Sequence, residues 1–431
     1  MTQQRQLKAR IRERMNRTGE SYLTARRHVL NGAPPSSYQL RGGLHPETAA
    51  VANCFANRDV INPMSGEPID ESTVLGLGGG LGAGYILWEF DDGDRRVVTT
   101  GFRNQWQYPQ RWMAKVCDRL NIPAEVVETS GPVRAATQLE EALAGGTPAV
   151  VAISAGDIGY WHLPADRSGW MGYPVVVYGR DASDRFLVDD RNVAPLTVDQ
   201  DTLAAARGRI SSYRNRLLVA DPAATELDAA TFTAAVAAGI DDHISHLSSS
   251  SSSFSIPAFK KWTRMVTADA AKGWPVVFAD GRGLLGAFVS TVEAVDEVGM
   301  LGGNLRAQFA RFLGQAGAWL DIDLAPAAVA YTAAAEAWSA VAAVPMQVPA
   351  VSAVVEADRR RRDAVARGDS GAGDARVAAE RSEELLASDS LDLSIGERDE
   401  LFAALASALD GAVKAERKAL DSLVVAWSAQ R

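Results

Sequence analysis

Among its 431 residues the chain has only two cysteines, Cys54 and Cys117, and five histidines. Two thiols cannot build a disulfide framework, and so few imidazoles limit both metal chemistry and general-base chemistry. A reduced, cytoplasmic setting is expected. Also missing is a secretory opening, since the first residues are polar and basic. No uninterrupted apolar run approaches the roughly 20 residues that span a bilayer, so no membrane is expected as a partner. Positive charge is in the minority. The net charge of −9 and pI of about 5.2 argue against general nucleic-acid affinity.

What is present is enough apolar residue for a large core, 47% of the chain, and enough length for two or three domains. Four regions are expected: 1–41, 42–222, 223–345 and 346–431. In the first, Arg5, Lys8, Arg10, Arg12, Arg14, Arg17, Arg26 and Arg27 face only Glu13 and Glu20. Leu7, Ile11 and Met15 fall on one helical face, and Ser21 can cap a second short helix. A solvated basic arm is the simpler reading; nucleic acid, if bound at all, would be bound there. Gly32, Pro34, Pro35 and two serines mark a linker.

From residue 42 to about 220 helical and strand patterns alternate, as in an α+β domain. Ala149–Ile153 and Val175–Tyr178 read as strands. Arg185–Asp189 reads as a hairpin partner after the turn Asp181–Asp184, and 203–216 as a helix. Residues 221–345 read as helical and alanine-rich, interrupted by the serine run 248–253, which reads as a loop. Beyond Glu400, Phe402, Leu405, Leu409, Val413, Leu420, Leu423, Val424 and Trp427 form an apolar stripe at helical spacing. It must bury itself against the body or against another chain, so a homo-oligomer through this C-terminal helix is one expectation.

Gly78, Gly80 and Ala83 fit G-x-G-x-x-A, the turn of dinucleotide folds. The flanks do not fit, because Tyr85–Phe90 after it reads as strand where that fold needs a helix. The glycines are read as points of close backbone approach, and no cofactor is expected. His243 and His246, three apart beside Asp241 and Asp242, resemble a metal pair but lack a third ligand, so no metal is expected.

The stretch Leu44-His45-Pro46-Glu47-Thr48-Ala49-Ala50, then Glu71 through Gly82, resembles the opening of the butirosin biosynthesis protein H family. The strand pair ending at Asp189 and Asp190 continues the likeness. Residues 225–345, with Lys272-Gly273-Trp274-Pro275 and Gly302–Arg306, look like the helical, DUF4872-type domain that often follows. The resemblance implies a papain-like N-terminal domain, then an all-α domain with extra C-terminal helices. It also implies acyl or aminoacyl transfer in specialised-metabolite biosynthesis, from a carrier-bound thioester to an amine, with an acyl-carrier or peptide partner. In that family a cysteine follows the histidine; here Pro46 stands in its place, suited to the first helical position. The family histidine falls at Tyr173 or Pro174. Cys54 lies roughly 12 Å further along the helix, about 80° around it, and reads as a buried packer.

The imidazoles and carboxylates left to carry chemistry are His45, His162 and Asp190. Glu47, Thr48, Tyr173, Asp189 and Arg191 are candidates for holding substrate. Two functions remain: acyl transfer by orientation without a covalent intermediate, or a catalytically inert relative that binds a ligand or partner.

Overall fold

A computed structural model describes residues 12, 38–89, 96–221, 226–297, 299–387 and 391–429. The basic segment and most of the linker fall outside the described residues.

The N-terminal part is α+β. Pro46 opens helix α1 (Pro46–Ala56), and Asp70 caps α2 (Glu71–Leu77) by accepting from the Thr73 amide. A two-stranded antiparallel pair follows, β1 (Tyr85–Glu89) and β2 (Arg96–Thr100), then α3 (Pro109–Arg119). The main sheet is built from β3 (Ala124–Val127), β4 (Ala149–Ser154), β5 (Gly172–Arg180), β6 (Phe186–Asp189), β7 (Leu196–Val198) and β8 (Leu217–Ala220). Its order is β3-β8-β4-β5-β6-β7, antiparallel throughout. Helices α4 (Pro132–Ala144) and α5 (Gln200–Gly208) complete the layer.

Strand alternation divides the sheet cleanly. Val150, Val176 and Leu218 face the large core with Val51 and Phe55 of α1 and Trp112 and Val116 of α3. Val151, Ile153, Val175, Val177 and Leu217 face a second core with Leu139, Leu203 and Trp161. The helix expected over 203–216 ends at Gly208; Ser211–Tyr213 forms a 3₁₀ turn, and Arg214 and Asn215 take left-handed backbone (φ 48° and 49°), which no α-helix accommodates.

The rest is helical: α6 (Ala229–Ser248), α7 (Ile256–Thr267), α8 (Trp274–Val277), α9 (Leu284–Val295), α10 (Arg306–Leu320), α11 (Ala325–Ala343), α12 (Pro349–Ala366), α13 (Ala372–Leu386) and α14 (Ile395–Ser428). The serine run leaves the helix at Ser249, and Ser255 Oγ ties the loop back by donating to the Ser249 and Ser251 carbonyls. The stripe on the 34-residue α14 is buried within the chain, with α11 and α7 beside it. Among the described residues, one segment, Ala325–Gln347, is long and apolar enough by length and mean composition to cross a membrane, although Glu336 and several small polar residues interrupt it. Its Tyr331, Ala334, Trp338 and Val341 sit in the core.

The two parts share one core, and the glycine-rich run is their seam. A Cβ at Gly76 would lie 2.3 Å from Phe312, at Gly78 2.2 Å from Trp112, and at Gly80 2.5 Å from Phe309. A Cβ at Gly239 of α6 would in turn lie 2.3 Å from the Gly76 carbonyl oxygen. No other residue permits this approach, and Gly79 and Gly80 also need positive φ (96° and 63°).

Across the seam, Asp242 of α6 accepts from Lys115 Nζ (2.6 Å), Arg119 Nη2 (2.9 Å) and Asn104 Nδ2 (3.1 Å). His243 Nδ1 accepts from the Leu81 amide at 3.1 Å, which places its proton on Nε2, 2.6 Å from Tyr331 Oη. The metal-like spacing is therefore an interdomain joint. On the far side of the glycines, Arg306 reaches the Gly82 and Phe102 carbonyls (3.2 and 3.4 Å) and pairs with Glu416 of α14 at 2.5 Å; both side chains are fully buried.

Candidate functional site

Helix α1 begins with a proline, which deletes an N–H as well as any nucleophile at that position. The Glu71 carboxylate at the start of α2 closes over the region. It accepts from the Leu44 amide (3.0 Å), the His45 amide (2.8 Å) and Thr48 Oγ1 (2.6 Å). The N-terminal pole of α1, favourable to an anion, is thus filled by the chain's own carboxylate.

His45 stands at the cap with only 7% of its surface exposed. Its Nδ1 is 3.1 Å from Glu47 Oε2, but misaligned for a hydrogen bond. Burial drives its pKa down to about 4 against the pull of Glu47, with Arg103 and Arg191 pushing the same way as burial. The imidazole is neutral at pH 7. Burial opposes ionisation of Glu47, yet its pKa is lowered by His45 and by Arg103, whose Nη2 is 3.6 Å away. With His45 neutral, Arg103 is the counter-charge that matters. Arg103 is itself clamped, its guanidinium 4.4 Å from the Trp112 ring centroid and Nη1 donating to the Asn104 carbonyl at 2.7 Å.

Asp189 and Asp190, adjacent in sequence, serve different surroundings. Asp189 turns toward α1, where Oδ2 accepts from Tyr38 Oη (2.7 Å) and Asn53 Nδ2 (3.0 Å), and Oδ1 from the Arg191 amide (3.0 Å). Burial raises its pKa to about 6 despite these donors. Tyr38 also stacks on Tyr178, at the β-bulge of β5, with centroids 4.2 Å apart. Asp190 Oδ2 accepts from Tyr160 Oη (2.9 Å), Trp161 Nε1 (2.9 Å) and Tyr173 Oη (2.5 Å); Oδ1 takes Arg191 Nε (3.1 Å) and Nη2 (2.7 Å). Every lone pair of Asp190 is committed.

Arg191, at φ +64°, then donates to the Leu44 carbonyl (3.3 Å) and the Met300 carbonyl (2.5 Å). One side chain ties the end of β6, the approach to α1 and a loop of the helical part together. Tyr173 is a buried phenol: burial and Asp190 hold its pKa well above the usual tyrosine value, so it is no base.

Of the two positions implied for the family histidine, Tyr173 packs into the second core, and both it and Pro174 line a recess beside the sheet. That recess has a cavity volume of about 20 Å³, space for roughly one water molecule, and is walled by Pro109, Met113, Ala152, Pro174, Tyr213 and Arg216. Tyr213 feels the charge of Glu47, so recess and helix start are neighbours. His162 sits apart on the β4–β5 loop, at φ +48°, with Nε2 buried and no hydrogen-bond partner among the described residues. Burial pushes the Cys117 thiol up to about 12 and Cys54 higher still, so both stay protonated.

Thus His45, Glu47, Thr48 and Arg191 gather at the start of α1. Asp190 and Tyr173 form a second cluster joined to it through Arg191. Asp189 faces the middle of α1. Glu71, Arg103, Tyr160, Trp161 and Tyr38 complete these networks and were not among the site candidates read from the sequence. Glu71 left a trace there only as the start of the second stretch that resembles the family.

An α+β domain with a helix end laid against an antiparallel sheet and a carboxylate at the end of the hairpin strand defines the class. Residues 45–191 match the model of butirosin biosynthesis protein H, N-terminal, and this part of the chain is a butirosin H-like N-terminal domain. No curated protein matches the chain.

Proposed function

We propose that this protein acts by binding, in a biosynthetic setting of the butirosin H kind, and does not carry acyl groups on a thiol. The observation that bears most weight is Pro46. A thiol acyltransferase needs at this point both a thiolate and a backbone N–H for the oxyanion. Proline supplies neither, and the Leu44 and His45 amides just before it are taken by Glu71. Both thiols elsewhere are buried and protonated. The surface around the recess beside Pro174 and Tyr213 is where an acyl-carrier arm, a peptide or a small ligand would dock, with side-chain movement needed to admit more than a water. Acyl transfer by orientation alone has weaker support: His45 is desolvated and held close to Glu47, and Asp190 has no free lone pair.

The test is incubation of the purified protein with short acyl thioesters and an amine. No acyl adduct by mass spectrometry and thioester loss equal to buffer are expected. Protein-dependent amide formation that disappears in His45→Ala, His162→Ala or Asp190→Asn would overturn the reading.

A further inference from the structure

Helices α12 and α13 fold back on each other through the short turn Gly368–Gly371, and their inner faces are buried within the chain. Val351, Val354 and Val355 of α12 enter the large core; Ala364, Val365 and Ala375 enter the second. The turn seals the β7 edge of the sheet, where Asp369 accepts from the Thr197 amide (2.9 Å) and hydroxyl (2.7 Å). The outer face of the pair is left open. An exposed groove with a cavity volume of about 550 Å³ runs between the two helices. Ala353, Ala357 and Ala378 give it a small apolar lining, and Val377 stands on its α13 side, 58% exposed.

On α13 the residues lining the groove include Asp374, Val377, Ala378 and Arg381, at the three-, four- and seven-residue spacing of one helical face. That face reads acid, apolar, apolar, base. A second α13 laid antiparallel about the Val377–Ala378 peptide therefore meets it with opposite signs. Asp374 faces the partner's Arg381, and Arg381 faces the partner's Asp374, each about 5 Å from the centre at 1.5 Å per residue. Laid parallel, like charge would meet like. Arg367 of α12 pairs with Asp374, so Arg360, two turns back along α12, adds its charge at the Arg381 end. The groove charges have partners within the chain, Glu356 for Arg360 (3.1 Å) and Glu384 for Arg381 (3.0 Å), but these pairs are exposed and free to be shared.

We propose that this groove is the contact between two copies of the chain, a two-fold pairing in which α13 of each lies in the α12–α13 groove of the other. A two-fold contact uses the same patch twice, which a face of this charge order satisfies. Covering Val377 and the alanine lining supplies the attraction, and the charges set the direction. The apolar stripe on α14, the other surface expected to join copies, is buried inside its own chain.

The test is sedimentation equilibrium of the full chain from about 1 to about 100 μM, where association by mass action shows as a rising mass. The mass should climb from 45.9 kDa toward twice that value. Val377→Arg, at an exposed position, should leave the melting temperature unchanged and abolish the rise. Arg381→Asp should weaken association about tenfold, and Asp374→Arg/Arg381→Asp, which restores opposite charges across the two-fold axis, should recover it to within about threefold. A 45.9 kDa species at every concentration would overturn the proposal and leave the groove to another occupant. So would a dimer that survives Val377→Arg, or a double variant no tighter than Arg381→Asp. If these variants do not fold, Val377→Cys decides by cross-linking with a short bis-maleimide, because Cys54 and Cys117 are buried. Two copies should be joined through residue 377 and not through the equally accessible Val425→Cys on α14. No covalent dimer at 377, or equal yields at both positions, refutes the pairing.

Discussion

Replacing Glu71 with alanine removes the acceptor of three donors at once: the Leu44 amide, the His45 amide and the Thr48 hydroxyl. Hydrogen bonds to a charged acceptor contribute about 1.5–3 kcal/mol each, but the three share one carboxylate and Glu71 is only partly buried, so water recovers some of the loss. The expected cost is about 2–4 kcal/mol, a factor of roughly 30 to 1,000 in the folding equilibrium. Glu71→Gln keeps an oxygen but turns an NH₂ toward one donor, and should cost about half as much. Thr48→Val deletes a single donor and should cost about 1 kcal/mol. Urea denaturation of the four proteins, with Glu71→Ala/Thr48→Val closing the cycle, measures each value and a coupling of about 1 kcal/mol between the two side chains. If Glu71→Ala unfolds within about 0.5 kcal/mol of wild type, or the coupling is zero, the carboxylate does not fill the start of α1 and the case for a self-occupied site fails.

Gly80→Ala should destabilise by about 2 kcal/mol or more, because its Cβ at φ +63° would sit 2.5 Å from Phe309 and 2.7 Å from His243; calorimetry checks it. Asp189→Asn should flatten the pH profile of stability on the acid side. The folded pKa of about 6 lies above the unfolded value, so the wild type loses stability as pH rises from about 4 to about 6, and equal slopes for the two proteins would contradict this. His45, with its pKa lowered to about 4 mainly by burial, should show no imidazole titration between about pH 5 and 8 by NMR, and a midpoint near 6.5 would place it in solvent. Neither cysteine should react with a thiol reagent in the native protein, and both should react once it is unfolded in denaturant.

The strands at 149–153 and 175–178 were legible because β-branched runs bounded by turn residues admit few other readings. The C-terminal stripe was legible as a buried helix face, though not its partners. The site was legible only through residues near each other in sequence. Pro46 announced the loss of the nucleophile, and Asp189 and Asp190 announced the hairpin end. That their carboxylates take up separate surroundings follows from where β6 stops, which no composition reveals. Arg103, Tyr160 and Trp161 reach the site from loops whose course depends on tertiary packing. The His243 region misled for a related reason: spacing on one helix turn suits a metal, but its partners Leu81 and Tyr331 are 162 and 88 residues away in sequence.

The buried Arg306–Glu416 pair carries a consequence for synthesis. Arg306 anchors to carbonyls of the early part of the chain, yet its counter-ion is made more than a hundred residues later. While the nascent chain lengthens on the ribosome, that guanidinium has no carboxylate to enter the dry interior with. The mature arrangement around Gly82 and Phe102 therefore waits for α14, and a product ending before residue 416 would leave that guanidinium without its buried counter-charge.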